Sequence, residues 1–421
     1  MKIWIPILLL SCRLSMAATA SDTLDLRPLE PAPGPDTGTP SLVRSADGVV
    51  YLTWAGPGNG VSERALRFAR LAPDAAAWSS ARTIVSTPLL MENWADFATL
   101  AIGIDGTLWA QWYQHRGDNQ RGYDGWFARS TDRGATWSEP APLGHEFVSL
   151  APLTEGRMLA VWLESIRPSA PMSHDSHAHV MSGAPSMRLM SRLLGPDGAT
   201  LRDWTIDPDV CTCCQTTLAS LPDDGVLVAY RGHTSEEIRD HLVARFDGTT
   251  WLEPQVLHAD GWQIAACPVN GPAADATGQT AAVAWFTAAN GEARVQAKFT
   301  PDGGRTFGAA QRIDLGRPIG RVDLVSLADG SAVVSWLEAG SDEHAAGLYV
   351  RRIFADAPAS AARRVVETSA ARASGFTRMA SRPGAELPVV IAWTTTRGQS
   401  PDGTPLTAAE TASFHAADLQ P

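Results

Sequence analysis

Four cysteines in the middle of the chain are the residues whose chemistry stands out most. Cys211, Cys213 and Cys214 form a Cys-x-Cys-Cys motif, and Cys267 follows later in the sequence. Thiolates are soft ligands that suit Cu(I), Cu(II) and Zn(II), and two cysteines separated by one residue bring two sulfurs within reach of one ion. The motif therefore predicts a soft-metal site, with copper favoured and zinc as the alternative.

A second set of candidate ligands lies in a stretch between residues 171 and 187 that is rich in histidine and methionine. Its candidate ligands are Met172, His174, His177, His179 and Met181. Imidazole and thioether groups bind the same ions as thiolates. We therefore expect this stretch to deliver an ion to the cysteines or to receive one from them. A flexible insertion that binds nothing is the alternative.

Four further residues are candidates for a pocket near these ligands: His115, Arg231, His233 and Trp262. The stretch 230–240 contains Arg, His, Glu and Asp residues, which could form a hydrogen-bonded acid/base group. A solvated loop of ion pairs is the alternative for that stretch. Trp262 precedes Cys267 in the same segment and could line a pocket.

The elements that must position these residues are short strands repeated along the chain. Seven apolar runs, most of them preceded by turn residues and all ending in an aromatic residue, recur at intervals of roughly 56 residues. The aromatic residues are Trp54, Trp112, Trp162, Tyr230, Trp285, Trp336 and Trp393. This pattern is typical of propeller blades. We predict an all-β propeller of four-stranded antiparallel blades, a single domain over residues 21–421. Seven blades are favoured over six, and residues 22–27 are expected to close the ring.

Strand alternation predicts where the unusual residues lie. In an antiparallel blade, the links between blades and the links between second and third strands lie on one face. The turns between third and fourth strands lie on the opposite face. Both cysteine segments are placed in inter-blade links, and the His/Met stretch is placed inside blade three, so all should share one face. If the motif continued a strand, Cys211 and Cys213 would point one way and Cys214 the other.

The turns of the opposite face carry a motif of their own. Aspartate and threonine side chains in it can bond turn amides, glycine takes a positive φ, and an aromatic residue packs against the hairpin. A degenerate copy spans residues 247–251. The two clear copies contain Ser130, Asp132, Gly134, Thr136 and Trp137, and Asp302, Gly304, Thr306 and Phe307. The motif resembles the Asp box, and the chain resembles the sialidase (neuraminidase) superfamily of propellers.

This resemblance implies the fold more strongly than the reaction. Sialidases use three arginines, a tyrosine paired with a glutamate, and an aspartate acid/base. Here Gly38 stands where the first arginine is expected, and no Tyr–Glu pair can be assigned. An enzyme of this class, an exo-acting glycoside hydrolase on acidic glycans, is the first alternative to metal binding. It predicts several arginines and a Tyr–Glu pair at the central cavity. A disulfide-stabilised module that binds another exported protein is the second alternative.

The first twenty residues predict export. Lys2, an apolar run over 3–10 and small residues at 18–20 are typical of a cleaved signal peptide, and the run is too short to span a bilayer. A lipoprotein motif ending at Cys12 is the less favoured interpretation. We expect a periplasmic or secreted protein, in which the other four cysteines could instead form two disulfides.

The charge of the chain excludes one class of partner. The net charge is −11 and no basic cluster occurs, so nucleic acid or an anionic membrane surface is not expected as the main partner. No segment after the first twenty residues is long and apolar enough to predict a transmembrane helix.

Overall fold

A computed structural model describes residues 23–117, 122–166, 187–401 and 403–421. The predicted signal peptide and the His/Met stretch lie outside these ranges, so export and the role of that stretch stay predictions. The described residues form seven antiparallel sheets arranged as the blades of a β-propeller: six have four strands, and in the seventh two short N-terminal strands together supply the outer strand. The all-β class and the seven-blade count are therefore confirmed. Within the described ranges, no helix is long and apolar enough to cross a membrane.

Two short N-terminal strands, β1 (Arg27–Pro28) and β2 (Gly34–Pro35), precede the first blade. The strands of blades one to three are β3 (Gly38–Arg44), β4 (Val50–Pro57), β5 (Arg64–Leu71) and β6 (Arg82–Thr87); β7 (Thr99–Ile102), β8 (Leu108–His115), β9 (Tyr123–Ser130) and β10 (Ala141–Pro142); and β11 (Glu146–Pro152), β12 (Met158–Ser165), β13 (Met187–Leu194) and β14 (Thr200–Val210). Those of blades four and five are β15 (Thr217–Ser220), β16 (Val226–Arg231), β17 (His241–Phe246) and β18 (Gln255–Val256), and β19 (Ala273–Thr277), β20 (Thr280–Thr287), β21 (Arg294–Thr300) and β22 (Gln311–Arg312).

Blades six and seven complete the ring. Their strands are β23 (Pro318–Ser326), β24 (Ala332–Ala339), β25 (Ala345–Ile353) and β26 (Arg363–Ser369), and β27 (Arg378–Ser381), β28 (Pro388–Gln399) and β29 (Pro405–His415). Four single-turn 3-10 helices lie in the connections, at Thr154–Gly156, Ala289–Gly291, Arg372–Ser374 and Ala416–Asp418.

The N-terminal segment closes the ring, as predicted, but it does so a few residues later than expected. Strands β1 and β2 both pair with β29, so blade seven is completed from the start of the chain. Leu24, inside the predicted closing segment, instead donates its N–H to the carbonyl of Arg364 on the outer strand of blade six. The segment first crosses that outer edge and reaches β29 only at Arg27. Closure of this kind leaves no long strand edge exposed.

The core lies between neighbouring blades and is built mainly from their second strands. These are the runs that carry the repeat, and their side chains are almost entirely buried. Among the largest fully buried side chains are Trp109, Trp112, Trp285 and Trp336. Apolar residues fill both faces of these strands because each blade is covered on both sides by its neighbours.

The Asp-box turns lie between third and fourth strands, as strand order predicts. In the turn after β9, the Asp132 carboxylate accepts from the N–H and the hydroxyl of Thr136 at 2.9 and 2.7 Å. These bonds hold the pKa of Asp132 well below its usual range. Burial acts to raise the pKa of Asp302, but the same two bonds to Thr306, with others from Thr300 and Arg305, together outweigh it and lower the pKa to about 2.

The same turns pack against the preceding blade. Trp137 meets Phe68 of blade one edge to face, with ring centroids 6.1 Å apart. A Cβ on Gly134 would lie 2.3 Å from the Phe68 ring, and one on Gly304 would lie 2.5 Å from the Leu227 side chain of blade four. Glycine is therefore required at Gly134 for close approach as well as for its φ of 79°. The Asp box thus stabilises the hairpin and also fixes the packing between blades.

Replacing Gly134 with alanine should destabilise the protein more than the same change at Gly106. Both residues have a positive φ, but a Cβ on Gly106 meets no atom within 4 Å. Backbone strain should lower the free energy of unfolding by about 1 kcal/mol in both variants. In Gly134→Ala, overpacking against Phe68 should lower it by about 1–3 kcal/mol more. Urea unfolding measures both changes, and equal losses would contradict the packing role of the turn.

Candidate metal centre

The cysteine motif lies in the link between the last strand of blade three and the first strand of blade four. Strand β14 ends at Val210, which forms a β-bridge with Gly232, and the N–H of Cys211 donates to the carbonyl of Arg231 at 3.1 Å. The chain then turns and enters β15 at Thr217. The motif is therefore a turn fastened to the end of strand β16 of blade four.

This turn brings three sulfurs together. The Sγ atoms of Cys211, Cys213 and Cys214 all lie within 4.8 Å of one another, and those of Cys211 and Cys214 are 3.8 Å apart. Cys211 and Cys214 are buried and Cys213 is partly exposed. The expectation that Cys214 points away from the other two is wrong. It assumed a continued strand, whereas the chain leaves the extended conformation after Val210.

Cys267 reaches the same place from the next inter-blade link, between β18 and β19. It is exposed, and its Sγ lies 3.5 Å from the hydroxyl of Thr212. Hydrogen bonds from Cys213 and Thr212, with the positive charge of Arg239, lower the pKa of Cys267 to about 6. All four cysteines carry free thiols in this structure.

Gln215 ties the two cysteine-bearing links together. Its side-chain oxygen accepts from the N–H of Gly271 at 2.9 Å, and its side-chain nitrogen donates to the carbonyl of Ala95 at 2.7 Å. A Cβ on Gly271 would lie 2.4 Å from the Gln215 backbone oxygen, so glycine permits this close approach. One buried amide thus holds three inter-blade links in fixed relative positions.

Two buried guanidinium groups lie beside the thiols. Arg239 donates to Cys211 Sγ at 3.4 Å and forms an ion pair with Glu237 at 2.7 Å. Hydrogen bonds from Cys213 and Cys214, aided by the charges of Arg231 and Arg239, hold the pKa of Cys211 well below its usual value. Burial, in contrast, raises the pKa of Cys214 to about 12. Within the turn, the thiolate form is therefore favoured more at Cys211 than at Cys214.

Two of the predicted pocket residues, Arg231 and Trp262, support this site. Arg231 donates to the carbonyls of Arg239, Asn270 and Phe286, and its guanidinium lies 4.8 Å from the centre of the Trp262 ring. Trp262 itself is buried against Phe286. Arg231 and Trp262 therefore brace the links that carry the cysteines.

The predicted acid/base group in the stretch 230–240 is a hydrogen-bonded chain. His233 contacts Asp209 at 2.6 Å and Glu237 at 3.3 Å, and Glu237 in turn holds Arg239. His233 is almost fully buried, so this chain orients Arg239 toward Cys211.

Of the remaining predicted site residues, His115 lies on another blade and the others lie outside the described residues. His115 is the exposed last residue of β8 on blade two, where its N–H donates to the carbonyl of Leu89. Met172, His174, His177, His179 and Met181 lie outside the described residues. The chain re-enters the structure at Met187, whose register partner is Val210, the residue before Cys211.

A separate cavity of about 220 Å³ runs along the centre of the ring and is lined by the first strands of all seven blades. A smaller cavity of about 50 Å³ adjoins it, and Asp96 and Arg378 line its wall. Arg378 lies over the Phe97 ring at 4.8 Å and 3.6 Å from an oxygen of Asp323. Among the described residues, Arg378 is the arginine that lines these cavities, so a cluster of several arginines does not converge there.

Asp96 is a buried carboxyl group. It accepts from the hydroxyl of Tyr123 at 2.8 Å and from the N–H of Phe147 at 3.1 Å. Burial raises its pKa to about 7 in spite of these bonds and one with Tyr113, and the charge of Glu146 adds to the rise. Burial likewise raises the pKa of Glu146 to about 7.

Sequence reasoning missed Asp96 and Arg378, and it included Arg239 only as a member of the stretch 230–240. Asp96 lies in an inter-blade link and Arg239 in a link between second and third strands, so strand alternation places both on the same face as the cysteines. Their residue types are too common in loops to single them out, so their burial is what marks them.

The known proteins that resemble this chain are solved structures with low sequence identity to it. No protein-family model matches the chain, and no curated protein matches its sequence. A protein of unknown function from Dyadobacter fermentans DSM 18053 is 14% identical, with a TM-score of 0.46 over 93% of this chain and 99% of its own. A Hadza microbial sialidase is 12% identical, with a TM-score of 0.45 over 91% of this chain and 66% of its own. An α-L-arabinanase from Penicillium chrysogenum is 10% identical, with a TM-score of 0.46 over 94% and 98%.

Replacing Asp96 with asparagine should flatten the dependence of stability on pH. Because the folded protein keeps a proton on Asp96 up to a pKa of about 7, while an unfolded aspartate loses it near pH 3.9, stability falls as pH rises between these values. Between pH 5 and pH 7 the free energy of unfolding should fall by about 2 kcal/mol less in the variant than in the parent protein. Urea unfolding at both pH values tests this, with exposed Asp356→Asn as the control. Parallel pH profiles of parent and Asp96→Asn would contradict it.

Proposed function

We propose that this protein binds a soft metal ion, with Cu(I) favoured, through the sulfurs of Cys211, Cys213 and Cys214. The observation that carries the proposal is the grouping of these three Sγ atoms within 4.8 Å. Sulfurs bound to one Zn²⁺ at about 2.3 Å in tetrahedral geometry are about 3.8 Å apart. The 3.8 Å between Cys211 and Cys214 is already a chelating separation.

The composition of the site favours a soft ion. Its donors are sulfurs, whereas Ca²⁺ and Mg²⁺ require oxygen ligands. Thiolates bind both Cu(I) and Zn(II). A structural zinc site needs four protein ligands, so zinc would require Cys267 as well, whereas the three sulfurs of the turn can satisfy Cu(I). Arg239 and Arg231 supply positive charge beside the group and offset the negative charge that several thiolates would bring into a buried site. The His/Met stretch as an additional source of ligands stays a prediction.

Changing Cys211, Cys213 and Cys214 together to serine should abolish tight metal binding. Loss of groups outside the coordination sphere commonly weakens binding about 10- to 100-fold, so loss of three ligands should cost at least about 100-fold. The measurement is anaerobic titration with Cu(I) against a bicinchoninate competitor, and with Zn(II) by calorimetry. Thr212→Ser, a conservative change in the same turn, is the matched control and should bind as the parent does.

Two results would overturn the proposal. The first is an unchanged affinity in the triple variant. The second is the absence of reactive thiols in protein purified without reductant and then unfolded, because four cysteines held in two disulfides leave no ligand. That second result would favour the disulfide-stabilised interaction module.

The second candidate function is hydrolysis of a glycan in the central cavity. The observation that favours it is a carboxyl group with a pKa of about 7, Asp96, in the wall of a cavity that Arg378 also lines. A carboxylic acid that keeps its proton near neutral pH can act as a general acid. Arg378 could then hold an acidic sugar.

Hydrolysis of a panel of acidic and neutral aryl glycosides tests this candidate. Activity that Asp96→Asn lowers at least about 100-fold, the low end of what a general acid contributes, and that exposed Asp356→Asn leaves unchanged would support it. Absence of turnover across the panel, or full activity in Asp96→Asn, would contradict it.

A further inference from the structure

The four cysteines of the sulfur group range from almost fully buried to exposed. Cys211 and Cys214 are 1% and 2% exposed, Cys213 is intermediate and Cys267 is exposed. An ion held by Cys211 and Cys214 therefore has no direct path to solvent through those residues. Cys267 occupies the outer side of the group, against Thr212 in the middle of the motif.

The attachment of Cys267 differs from that of the other three. Cys211, Cys213 and Cys214 share one short turn, whereas Cys267 comes from the link between blades four and five. That link is also held by contacts outside the cysteine turn: the side-chain nitrogen of Asn270 donates to the carbonyls of Pro268 and Ile319, and its side-chain oxygen accepts from the N–H of Arg321. Cys267 can therefore bind or release an ion without displacing the turn that holds the other sulfurs.

We propose that Cys267 is the exchange ligand of this site, through which a soft metal ion passes between the buried sulfurs and a donor or acceptor that presents the ion on sulfur or nitrogen ligands. This inference rests on the proposed function of the sulfur group. Loading starts when the Cys267 sulfur loses its proton to solvent and forms a metal–sulfur bond, after which one bond from the ion to its donor breaks. Cys213 and then the buried pair lose any protons they carry to solvent and form their bonds as the remaining donor bonds break, and the bond between the ion and Cys267 breaks last. Release follows the same steps in reverse, and the metal keeps its oxidation state throughout.

An exchange ligand has a kinetic signature that an ordinary ligand lacks. Because it lowers the barrier in both directions, its loss slows loading and release by the same factor and leaves the dissociation constant nearly unchanged. A fourth ligand of the resting site behaves differently, since its loss speeds release and weakens affinity. A residue outside the path changes neither rate.

The experiment is stopped-flow transfer of Cu(I) from its bicinchoninate complex to the reduced full-length protein, and back to excess bicinchoninate. In Cys267→Ser both rate constants should fall about tenfold or more, which corresponds to about 1.4 kcal/mol of barrier, while the dissociation constant stays within about threefold. Ala266→Ser, at the exposed neighbouring position, is the matched control and should match the parent in both rates.

A second measurement avoids substitution altogether. Methylthiolation of the exposed Cys267 thiol in the Cu(I)-loaded protein, located by mass spectrometry, should leave the ion bound and slow its removal. The inference is overturned if Cys267→Ser exchanges at the parent rate, or if release becomes faster and affinity falls. These outcomes differ from failure of the metal proposal itself, in which the parent protein or the triple serine variant would show no sulfur-dependent binding.

Discussion

Each blade has an even number of antiparallel strands, and this constraint organises the whole molecule. The chain leaves every blade at the outer edge and on the face by which it entered, so each inter-blade link crosses the same face of the propeller. The cysteine turn, Cys267 and Asp96 all lie in such links. The opposite face receives the Asp-box turns, whose Asp–Thr hydrogen bonds and close glycine contacts fix neighbouring blades against each other. The cysteines and Asp96 thus lie on one face, and the turns that reinforce the packing between blades lie on the other.

Buried polar side chains turn that shared face into one rigid unit. Gln215 bonds two other links, and Arg231 donates three hydrogen bonds to carbonyls of residues in and beside the links that surround the cysteines. Buried polar groups are stable only when they are hydrogen-bonded, so each of these bonds also specifies the position of its link. The sulfurs are therefore held in place by the fold itself, which would reduce the ordering that the proposed metal binding requires.

The sulfur group and the central cavity are neighbours with different chemistry. Gln215 follows Cys214 directly, contacts Ala95 beside Asp96, and also lines the cavity. One site offers soft ligands next to guanidinium groups, and the other offers buried carboxyl groups next to Arg378. Because Gln215 holds both in place, damage to this residue should affect both, whereas changes at Cys267 or Asp96 should act separately.

The sequence by itself determined the architecture and the placement of both cysteine segments in inter-blade links. The repeat period predicted the blades, and strand order predicted that the turns of Asp132 and Asp302, with their hydrogen bonds to threonine, lie between third and fourth strands. Only the tertiary structure decided that Cys214 turns toward Cys211, that Arg239 reaches the Cys211 sulfur and that Asp96 is buried beside Arg378. These contacts join residues from different strands and links, so they depend on how neighbouring blades pack and on where a strand stops. No spacing along the chain encodes those two outcomes.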